Sequence, residues 1–284
     1  MLGGRRFFRR EQLIGLAVAL VLGGVAFVFG LRWLESLMTF RPERMPVREF
    51  KSPPDGAEAV AFNSADGTHL TGWYFESQTK PAVATIIFFH GNGGNISNVG
   101  WMGQRFAKHG FNVLLFDYRG YGASEGVAVD ESGLYADGDA AVAFITSRGI
   151  PPEKIVLYGQ SLGTTVAVDV ASRGKYGAVV IESGLSSASS VAAIALPWLP
   201  TRLHFLGRNR FESARKLANV KSPILIAHGD PDRTIPTSEA HLLFAAANEP
   251  KELLIVPGAG HVVFGAAGEP YLSQVEQFMR DAIR

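Results

Sequence analysis

A serine between two glycines in the pattern Gly-x-Ser-x-Gly can serve as a nucleophile, and the chain contains this pattern twice. One copy is GASEG at residues 122–126 and the other is GQSLG at residues 159–163. Because the chain has 32 glycines, such a short pattern arises easily by chance. The surrounding residues must therefore decide which serine could react.

Ser161 has the context that a reactive serine needs. The apolar run KIVLY before it predicts a strand, and LGTTVAVDVAS after it predicts a helix, so Ser161 lies in a sharp turn that exposes its hydroxyl. Ser124 is followed by GVAVDESG, whose Gly126, Asp130 and Gly133 disfavour an immediate helix. We therefore predict Ser161 as the nucleophile and Ser124 as a structural residue of an irregular loop.

A serine hydroxyl needs an imidazole to take its proton, and His261 is the best placed of the seven histidines. It lies in VPGAGHVVF, directly after the last predicted strand, in a glycine-rich loop that lets the ring reach across the sheet edge. His90 and His228 each end a strand before a glycine, and we expect them to bond backbone groups. The remaining histidines are expected to be surface or packing residues: His69, His109, His204 and His241.

The acid that orients the imidazole should follow the penultimate strand, where IAHGDPDRTIP offers Asp230 and Asp232. We favour Asp232 because it stands further into the loop before the next helix. Asp230 is expected to order the turn with Pro231. The three residues then follow one another in the order serine, aspartate, histidine.

An oxyanion hole requires two backbone N–H groups that point at the developing negative charge. Leu162, the residue after the nucleophile, supplies one, and Asn92 in the loop FFHGNGGNIS supplies the other. Read alone, this glycine-rich loop also fits a phosphate site or a turn without a ligand, but it lacks the Lys-Ser/Thr ending of a P-loop.

The elements that must position these residues alternate between short apolar runs and helical patterns. This alternation predicts an α/β fold with an eight-stranded, mostly parallel sheet and helices on both faces. Asp66-Gly67 predicts a hairpin that opens the sheet with an antiparallel pair. The predicted strands are 57–62, 70–75, 84–89, 112–116, 154–159, 178–182, 223–228 and 252–257, and the predicted helices lie near 98–109, 134–148, 162–172, 236–247 and 270–283.

Composition excludes several classes of function. The net charge of +1 leaves no basic footprint for nucleic acid, and the absence of cysteine excludes a thiol nucleophile, a disulfide framework and cysteine metal sites. The chemistry outlined above needs no metal and no cofactor, so none is expected. Composition does not fix an oligomeric state.

The N-terminal segment predicts a membrane anchor. A basic tail at residues 1–12 precedes 19 residues without a charge, Leu13 to Leu31, which as a helix would span about 28 Å. We assign residues 13–33 to a transmembrane helix and the proline-containing residues 34–56 to a stalk. Arginine placement favours a cytoplasmic N-terminus and an extracytoplasmic catalytic domain. A cleaved signal peptide, including one of the twin-arginine kind, is the alternative.

The motifs HGNGGN, DYRGYGASEG, GQSLG, HGDPD and GAGH together resemble the α/β-hydrolase superfamily, and most of all its membrane-anchored, single-domain branch of serine hydrolases. The resemblance covers residues 57–284. It implies the same roles for the residues chosen above: Ser161 as nucleophile, His261 as base, Asp232 as acid, and Asn92 and Leu162 as oxyanion donors. It also implies that Asp117 and Arg119 are structural.

The expected function is a membrane-anchored serine hydrolase that cleaves an ester, thioester or amide through an acyl-enzyme. A connection at about 183–222, with apolar residues such as Trp198, predicts a small lid that either lines an acyl pocket or packs on the core. The substrate would be a small molecule or an acyl or lipid-like compound. The alternative is a non-catalytic, membrane-tethered binding module on the same fold; a lyase or peroxidase is a third reading of the motifs.

Overall fold

The computed structural model describes residues 10–44, 53–195, 198 and 207–284. Its first element is helix α1 (Arg10–Thr39), which stands apart from the core. Within α1 the segment Gln12–Gly30 has a mean hydropathy of 2.5, is long and apolar enough to cross a membrane, and buries none of its residues against the protein. The predicted basic tail lies largely outside the described residues.

Eight strands form one sheet, as predicted, and each boundary lies within one residue of the prediction. The strand order is β1-β2-β4-β3-β5-β6-β7-β8. The pairs β1–β2 and β2–β4 are antiparallel and the other five are parallel. The strands are β1 (Ala57–Asn63), β2 (His69–Phe75), β3 (Thr85–Phe89), β4 (Asn112–Phe116), β5 (Ile155–Gln160), β6 (Ala178–Glu182), β7 (Ile224–Gly229) and β8 (Lys251–Val256).

Helices cover both faces of the sheet because the central strands are apolar on both sides. Alternate residues of β3 show this: Ile87 and Phe89 belong to one core cluster, and Ile86 and Phe88 to the other. One face carries α2 (Gly100–Lys108) and α8 (Val263–Ile283). The other carries α3 (Glu131–Ser147), α4 (Leu162–Ala171), α6 (Ser213–Leu217) and α7 (Ser238–Ala246).

Strand order reverses around β3, and this places the carboxyl ends of β3 and β5 side by side. The chain passes from β3 to β4 on one side and then crosses to β5 on the other. Loops that leave two neighbouring strands in opposite directions open a crevice between them, which is where ligands bind in open α/β sheets. The loop after β3 and the turn after β5 flank this crevice.

Two helices begin earlier than the sequence predicted. Helix α3 starts at Glu131 because the carboxylate of Asp130 accepts a hydrogen bond from the N–H of Gly133 and caps the helix. Helix α8 starts at Val263 and consists of two segments that meet at a kink at Gly268 (φ 56°, ψ −141°). Pro270 lies two residues after the kink, in the first turn of the second segment, where a proline is tolerated. The proline therefore marks where the helix starts again after the kink, and α8 itself begins seven residues earlier, at Val263.

The described part of the predicted stalk is helical at its start and then contacts the catalytic domain. Helix α1 continues to Thr39, and residues 40–44 lie against the catalytic domain, with Phe40 only 4% exposed. Burial of Phe40 and hydrogen bonds of Arg41 and Arg44 hold residues 40–44 in place. Residues 45–52 lie outside the described residues.

The connection between β6 and β7 contains the predicted lid, and only part of it is described. It begins with α5 (Ala188–Ala195) and ends with α6. Val191 packs against the core, whereas Ile194 and Trp198 are exposed. The same connection also contains apolar residues that lie outside the described part of the chain: Leu196, Leu199, Leu203, Phe205 and Leu206.

Candidate active site

Ser161 occupies the turn between β5 and α4, where its backbone adopts φ 52° and ψ −120°. A positive φ is costly for a residue with a side chain, so the surrounding structure must hold the turn in place. The N–H of Ser161 donates to the carbonyl of Glu182 at the end of β6, at 2.9 Å. The carbonyl of Ser161 accepts from the N–H and the hydroxyl of Thr164. The turn is thus fixed on both sides.

The two glycines of the GQSLG pattern let α4 pack directly onto the sheet. A Cβ atom at Gly163 would lie 1.9 Å from the carbonyl oxygen of Phe89, and one at Gly159 would lie 2.5 Å from the Cα of Thr164. No side chain fits at either position. Glycine is therefore required by close backbone approach, and this requirement explains the motif physically.

The structure brings Ser161, His261 and Asp232 into one chain of hydrogen bonds. The Nε2 atom of His261 lies 2.8 Å from the Oγ of Ser161, and its Nδ1 lies 2.7 Å from the Oδ2 of Asp232. An ionised carboxylate only accepts hydrogen bonds, so Nδ1 carries the proton and Nε2 offers its lone pair to the serine hydroxyl. The arrangement gives the hydroxyl a proton acceptor whose tautomer is fixed.

Asp232, the last residue in this series of hydrogen bonds, is held in place by its own hydrogen bonds. Its side chain is fully buried, and its Oδ1 accepts hydrogen bonds from the N–H groups of Thr234 and Ile235 at 2.8 and 3.0 Å. His228 adds a contact that the sequence did not predict, because its Nε2 lies 3.2 Å from Oδ2 as well as 2.8 Å from the carbonyl of Ile235. Because a carbonyl oxygen only accepts, the Nε2–H of His228 donates to Ile235, and the ring lies beside Asp232; burial lowers the pKa of His228.

Asp230 has a different role from the predicted turn with Pro231. It is exposed, and its Oδ1 accepts from the N–H of Gly258 at 2.7 Å, which links the loop after β7 to the loop after β8. The latter loop carries His261. Asp230 therefore ties together the two loops that bear the acid and the imidazole.

The loop after β3, which contains Asn92, lies beside Ser161. A Cβ atom at Gly91 would lie 3.4 Å from the Cβ of Ser161, so the backbone of this loop is within reach of a group bound there. Leu162 is the first residue of α4, and its N–H lies in the helix turn that has no internal acceptors. The side-chain Oδ1 of Asn92 accepts from the hydroxyl of Tyr121 and from the N–H of Arg41, both at 2.9 Å.

Ser124, the serine of the other Gly-x-Ser-x-Gly copy, is structural. It is completely buried; its hydroxyl donates to the carbonyl of Asp117 at 2.7 Å and accepts from the N–H of Thr71 at 2.9 Å. Asp117 is also buried, accepts from the N–H of Ile96, and has its pKa raised to about 7 by desolvation. Arg119 donates to the buried Asp137 and to Asp66. These roles agree with the expectation that Asp117 and Arg119 are structural.

Three exposed histidines and His90 have no hydrogen bond to Ser161, His261 or Asp232 among the described residues. The Nδ1 of His90 bonds the carbonyl of Gly91 at 2.8 Å, as expected, and burial lowers the pKa of His90 to about 4. His69, His109 and His241 are exposed. His204 lies outside the described residues.

Glu182 is a residue near the site that sequence analysis missed. Its carboxylate is fully buried and accepts hydrogen bonds from the hydroxyls of Tyr158 and Tyr271, at 2.6 and 2.8 Å, and from the first two N–H groups of α8. Burial raises its pKa to about 7, although these donors oppose the shift. Helix α8 begins two residues after His261, so Glu182 anchors the imidazole loop. The sequence did contain a signal for this role: Glu182 is a charged residue at the end of the otherwise apolar strand β6.

Fold and site together define an α/β hydrolase with a serine at the turn after its fifth strand. A family model described as serine aminopeptidase, S33, matches residues 80–210. The uncharacterised protein YfhR of Escherichia coli K12 is 35% identical over 245 residues, which cover 81% of this chain and 83% of YfhR. Alpha/beta hydrolase domain-containing protein 17B of Xenopus tropicalis is 36% identical over 255 residues, which cover 88% and 83% of the two chains.

Solved structures show the same fold. The esterase Pf2001 of Pyrococcus furiosus aligns with a TM-score of 0.67 at 21% identity, over 87% of this chain and 98% of the esterase. Acetyl xylan esterase 1 of Thermoanaerobacterium aligns with a TM-score of 0.62 at 18% identity, over 89% and 93%. The chain belongs to the α/β-hydrolase family. The predictions of this fold and of a serine hydrolase enzyme are thereby confirmed.

Proposed function

We propose that the protein is a membrane-anchored serine hydrolase that cleaves a carboxylic ester, thioester or amide through an acyl-enzyme on Ser161. The observation that carries the proposal is the continuous chain of hydrogen bonds from Ser161 through His261 to Asp232. A buried acid, a tautomer-fixed imidazole and a hydroxyl in line are what nucleophilic acyl transfer requires.

In the first half-reaction the Oγ of Ser161 attacks the substrate carbonyl while its proton passes to the Nε2 of His261. The carbonyl oxygen becomes an oxyanion, which the backbone N–H groups of Asn92 and Leu162 stabilise. The intermediate then collapses to the acyl-enzyme, and the imidazolium gives its proton to the departing alcohol, thiol or amine. Asp232 stabilises the imidazolium throughout.

In the second half-reaction water repeats these steps. His261 takes a proton from water as the oxygen attacks the acyl carbon. Collapse of the second intermediate releases the carboxylic acid and returns the proton to Ser161. No metal and no cofactor takes part in either half-reaction.

A substrate with an acyl or lipid-like chain is the second element of the proposal. The lid connection leaves the sheet at Glu182, whose carbonyl contacts the N–H of Ser161, so the lid begins beside the nucleophile. Ile194 and Trp198 are exposed on this connection, with exposed fractions of 49% and 75%. Exposed apolar side chains on a connection that starts beside the reactive serine favour an apolar substrate group.

Comparing hydrolysis of a butyrate ester, thioester and anilide by the full chain and by S161A tests the proposed reaction. We expect turnover of at least one substrate, and a loss of at least about 10³-fold in kcat in S161A. A chain that hydrolyses none of the three would instead support the non-catalytic binding module. Equal rates for butyrate and laurate esters would contradict the preference for an acyl chain.

The membrane part of the proposal places α1 across the bilayer, with the N-terminus in the cytoplasm and the catalytic domain outside it. The apolar segment Gln12–Gly30 and the arginines of the N-terminal tail support this orientation. Because the chain has no cysteine, a single cysteine can report on it. A membrane-impermeant maleimide should label Ser273→Cys, at an exposed position of α8, in intact cells, and Gly4→Cys only after lysis. The reverse pattern would overturn the orientation.

A further inference from the structure

The five residues that follow helix α1, 40–44, lie across the catalytic domain, and we call them the strap. Phe40 fixes the start of the strap, because it is buried and packs edge-on against Phe211, with ring centroids 6.3 Å apart. Just before the strap, Glu35 of α1 accepts hydrogen bonds from the N–H groups of Arg208 and Asn209, at 2.6 and 2.8 Å. The C-terminal part of α1 is thus hydrogen-bonded to the catalytic domain.

The strap holds the loop after β3 at two points. We call residues 91–95 the oxyanion loop. The N–H of Arg41 donates to the Oδ1 of Asn92 at 2.9 Å, and the carbonyl of Glu43 accepts from the Nδ2 of Asn95 at 3.1 Å. Asn95 in turn caps the short helical turn that follows the loop. Both ends of the glycine-rich stretch are therefore attached to the strap.

The strap is fixed on its other side to the buried turn around Ser124. The carbonyl of Glu43 also accepts from the N–H of Gly122 at 2.9 Å. The guanidinium of Arg44 donates to the carbonyls of Ser124 and Gly126 at 2.6 and 3.1 Å. Since Ser124 is fully buried and hydrogen-bonded, this turn is a rigid base. Because the strap is bonded to this rigid turn on one side, its hydrogen bonds on the other side can hold the oxyanion loop in one position.

Asn92 receives two donors from two separate elements. Its Oδ1 accepts from Arg41 of the strap and from the hydroxyl of Tyr121 in the loop after β4. An amide oxygen has two lone pairs, so both are used and the side chain has one orientation. The glycines on either side of Asn92 would otherwise leave this backbone free to turn.

We propose that the strap is a positioning element of the active site: the Arg41 N–H, together with Tyr121, locks Asn92 so that its own N–H meets the oxyanion. This inference rests on the proposed function, because it assigns the oxyanion to Asn92. The polypeptide between anchor and domain then contributes to transition-state stabilisation. Loss of this contact should lower kcat and leave KM almost unchanged, since the oxyanion exists only in the transition state.

The test compares Arg41→Pro with Arg41→Ala in the full chain, purified in detergent micelles and assayed with a butyrate ester. Alanine keeps the N–H and proline removes it, so the comparison isolates the bond to Asn92. We expect kcat of Arg41→Pro to be about tenfold or more below that of Arg41→Ala, with KM values within about twofold; loss of one whole oxyanion donor sets the upper limit at about 10³-fold.

The same pair in an Asn92→Ala background separates positioning from general damage. Without the amide oxygen the Arg41 N–H has no acceptor, so the two variants should then have the same kcat. Equal kcat values in the wild-type background, or the same ratio in both backgrounds, would overturn the inference. Arg44→Ala, which loosens the strap without introducing proline, should show the same dependence on Asn92 if Arg41→Pro fails to fold.

Failure of the proposed function has a different signature. If the wild-type chain and S161A turn over the ester equally, Ser161 is not the nucleophile and the proposed function is wrong. If turnover depends on Ser161 while Arg41→Pro and Arg41→Ala behave alike, only the role of the strap is wrong.

Discussion

The Nε2 atom of His261 lies 2.8 Å from the Oγ of Ser161, although one hundred residues separate them in the chain. The approach depends on the parallel sheet, which puts the loops after β5 and β8 at the same edge. The imidazole loop must reach across two strands to meet the serine turn, and the GAGH glycines and the Glu182 anchor of α8 make this reach feasible.

Asp232→Asn should reduce kcat strongly with little effect on stability. The amide oxygen can still accept from the N–H groups of Thr234 and Ile235, but the amide NH₂ then faces Nδ1 of His261 and favours the wrong tautomer. We expect a fall of at least about 10³-fold in kcat with KM within about threefold. Steady-state kinetics with a butyrate ester and a thermal melt measure both effects. A loss of less than tenfold would argue against Asp232 as the orienting acid.

The two serines in Gly-x-Ser-x-Gly patterns should behave oppositely when replaced by alanine. Ser124→Ala removes two buried hydrogen bonds and should cost about 1–3 kcal/mol of stability while the folded protein keeps its kcat. Ser161→Ala should lose turnover and remain folded. Unfolding curves measure the stability of both variants, and steady-state kinetics measure their kcat. Loss of turnover in a folded Ser124→Ala protein would contradict the assignment.

Gly163→Ala should prevent correct packing of α4, since its Cβ would meet the carbonyl of Phe89 at 1.9 Å. We expect a loss of at least about 3 kcal/mol, because the obstacle is backbone and cannot move aside. Gly260→Ala is the matched control for stability: a Cβ there meets nothing within 4 Å. Thermal melts should show a large fall in Tm for Gly163→Ala and a change within about 2 °C for the control. Similar Tm values for both would refute the packing argument.

Glu182 should make stability depend on pH. Its pKa is raised from 4.5 to about 7 in the folded protein, so the folded state binds the proton more tightly than the unfolded state. This contribution is complete below about pH 4.5 and is lost as the pH rises through about 7. Relative to Glu182→Gln, which stays neutral, the wild type should lose roughly 2 kcal/mol between pH 5 and pH 8. Melts of both proteins at the two pH values measure this difference, and parallel pH profiles would count against it.

Most of the sheet could be predicted from the sequence because its central strands are buried on both faces. Runs such as TIIFF and AVVIE have no polar residues until their ends, so their boundaries are sharp. Because these strand boundaries are clear in the sequence, Ser161, Asp232 and His261 could be assigned to the segments that follow β5, β7 and β8. In the structure His261 lies within hydrogen-bond distance of both Ser161 and Asp232.

The features that sequence analysis missed depend on contacts between distant residues. No local pattern reveals that residues 40–44 lie against the oxyanion loop, that Asp230 reaches Gly258, or that Glu182 collects two tyrosine hydroxyls. Prolines marked this segment as a stalk, but proline is equally compatible with a free linker and with an extended chain docked on a surface. The contacts of residues 40–44 with the oxyanion loop, which only the folded structure shows, identify the docked arrangement.

The most direct test of the central claim is to react the full chain with a fluorophosphonate and locate the adduct by mass spectrometry. We predict one adduct, on the peptide that contains Ser161, absent in S161A and formed at least about 10³-fold more slowly when His261 is alanine. An unlabelled wild-type protein, or an adduct that persists unchanged in S161A, would contradict the assignment of Ser161 as the nucleophile.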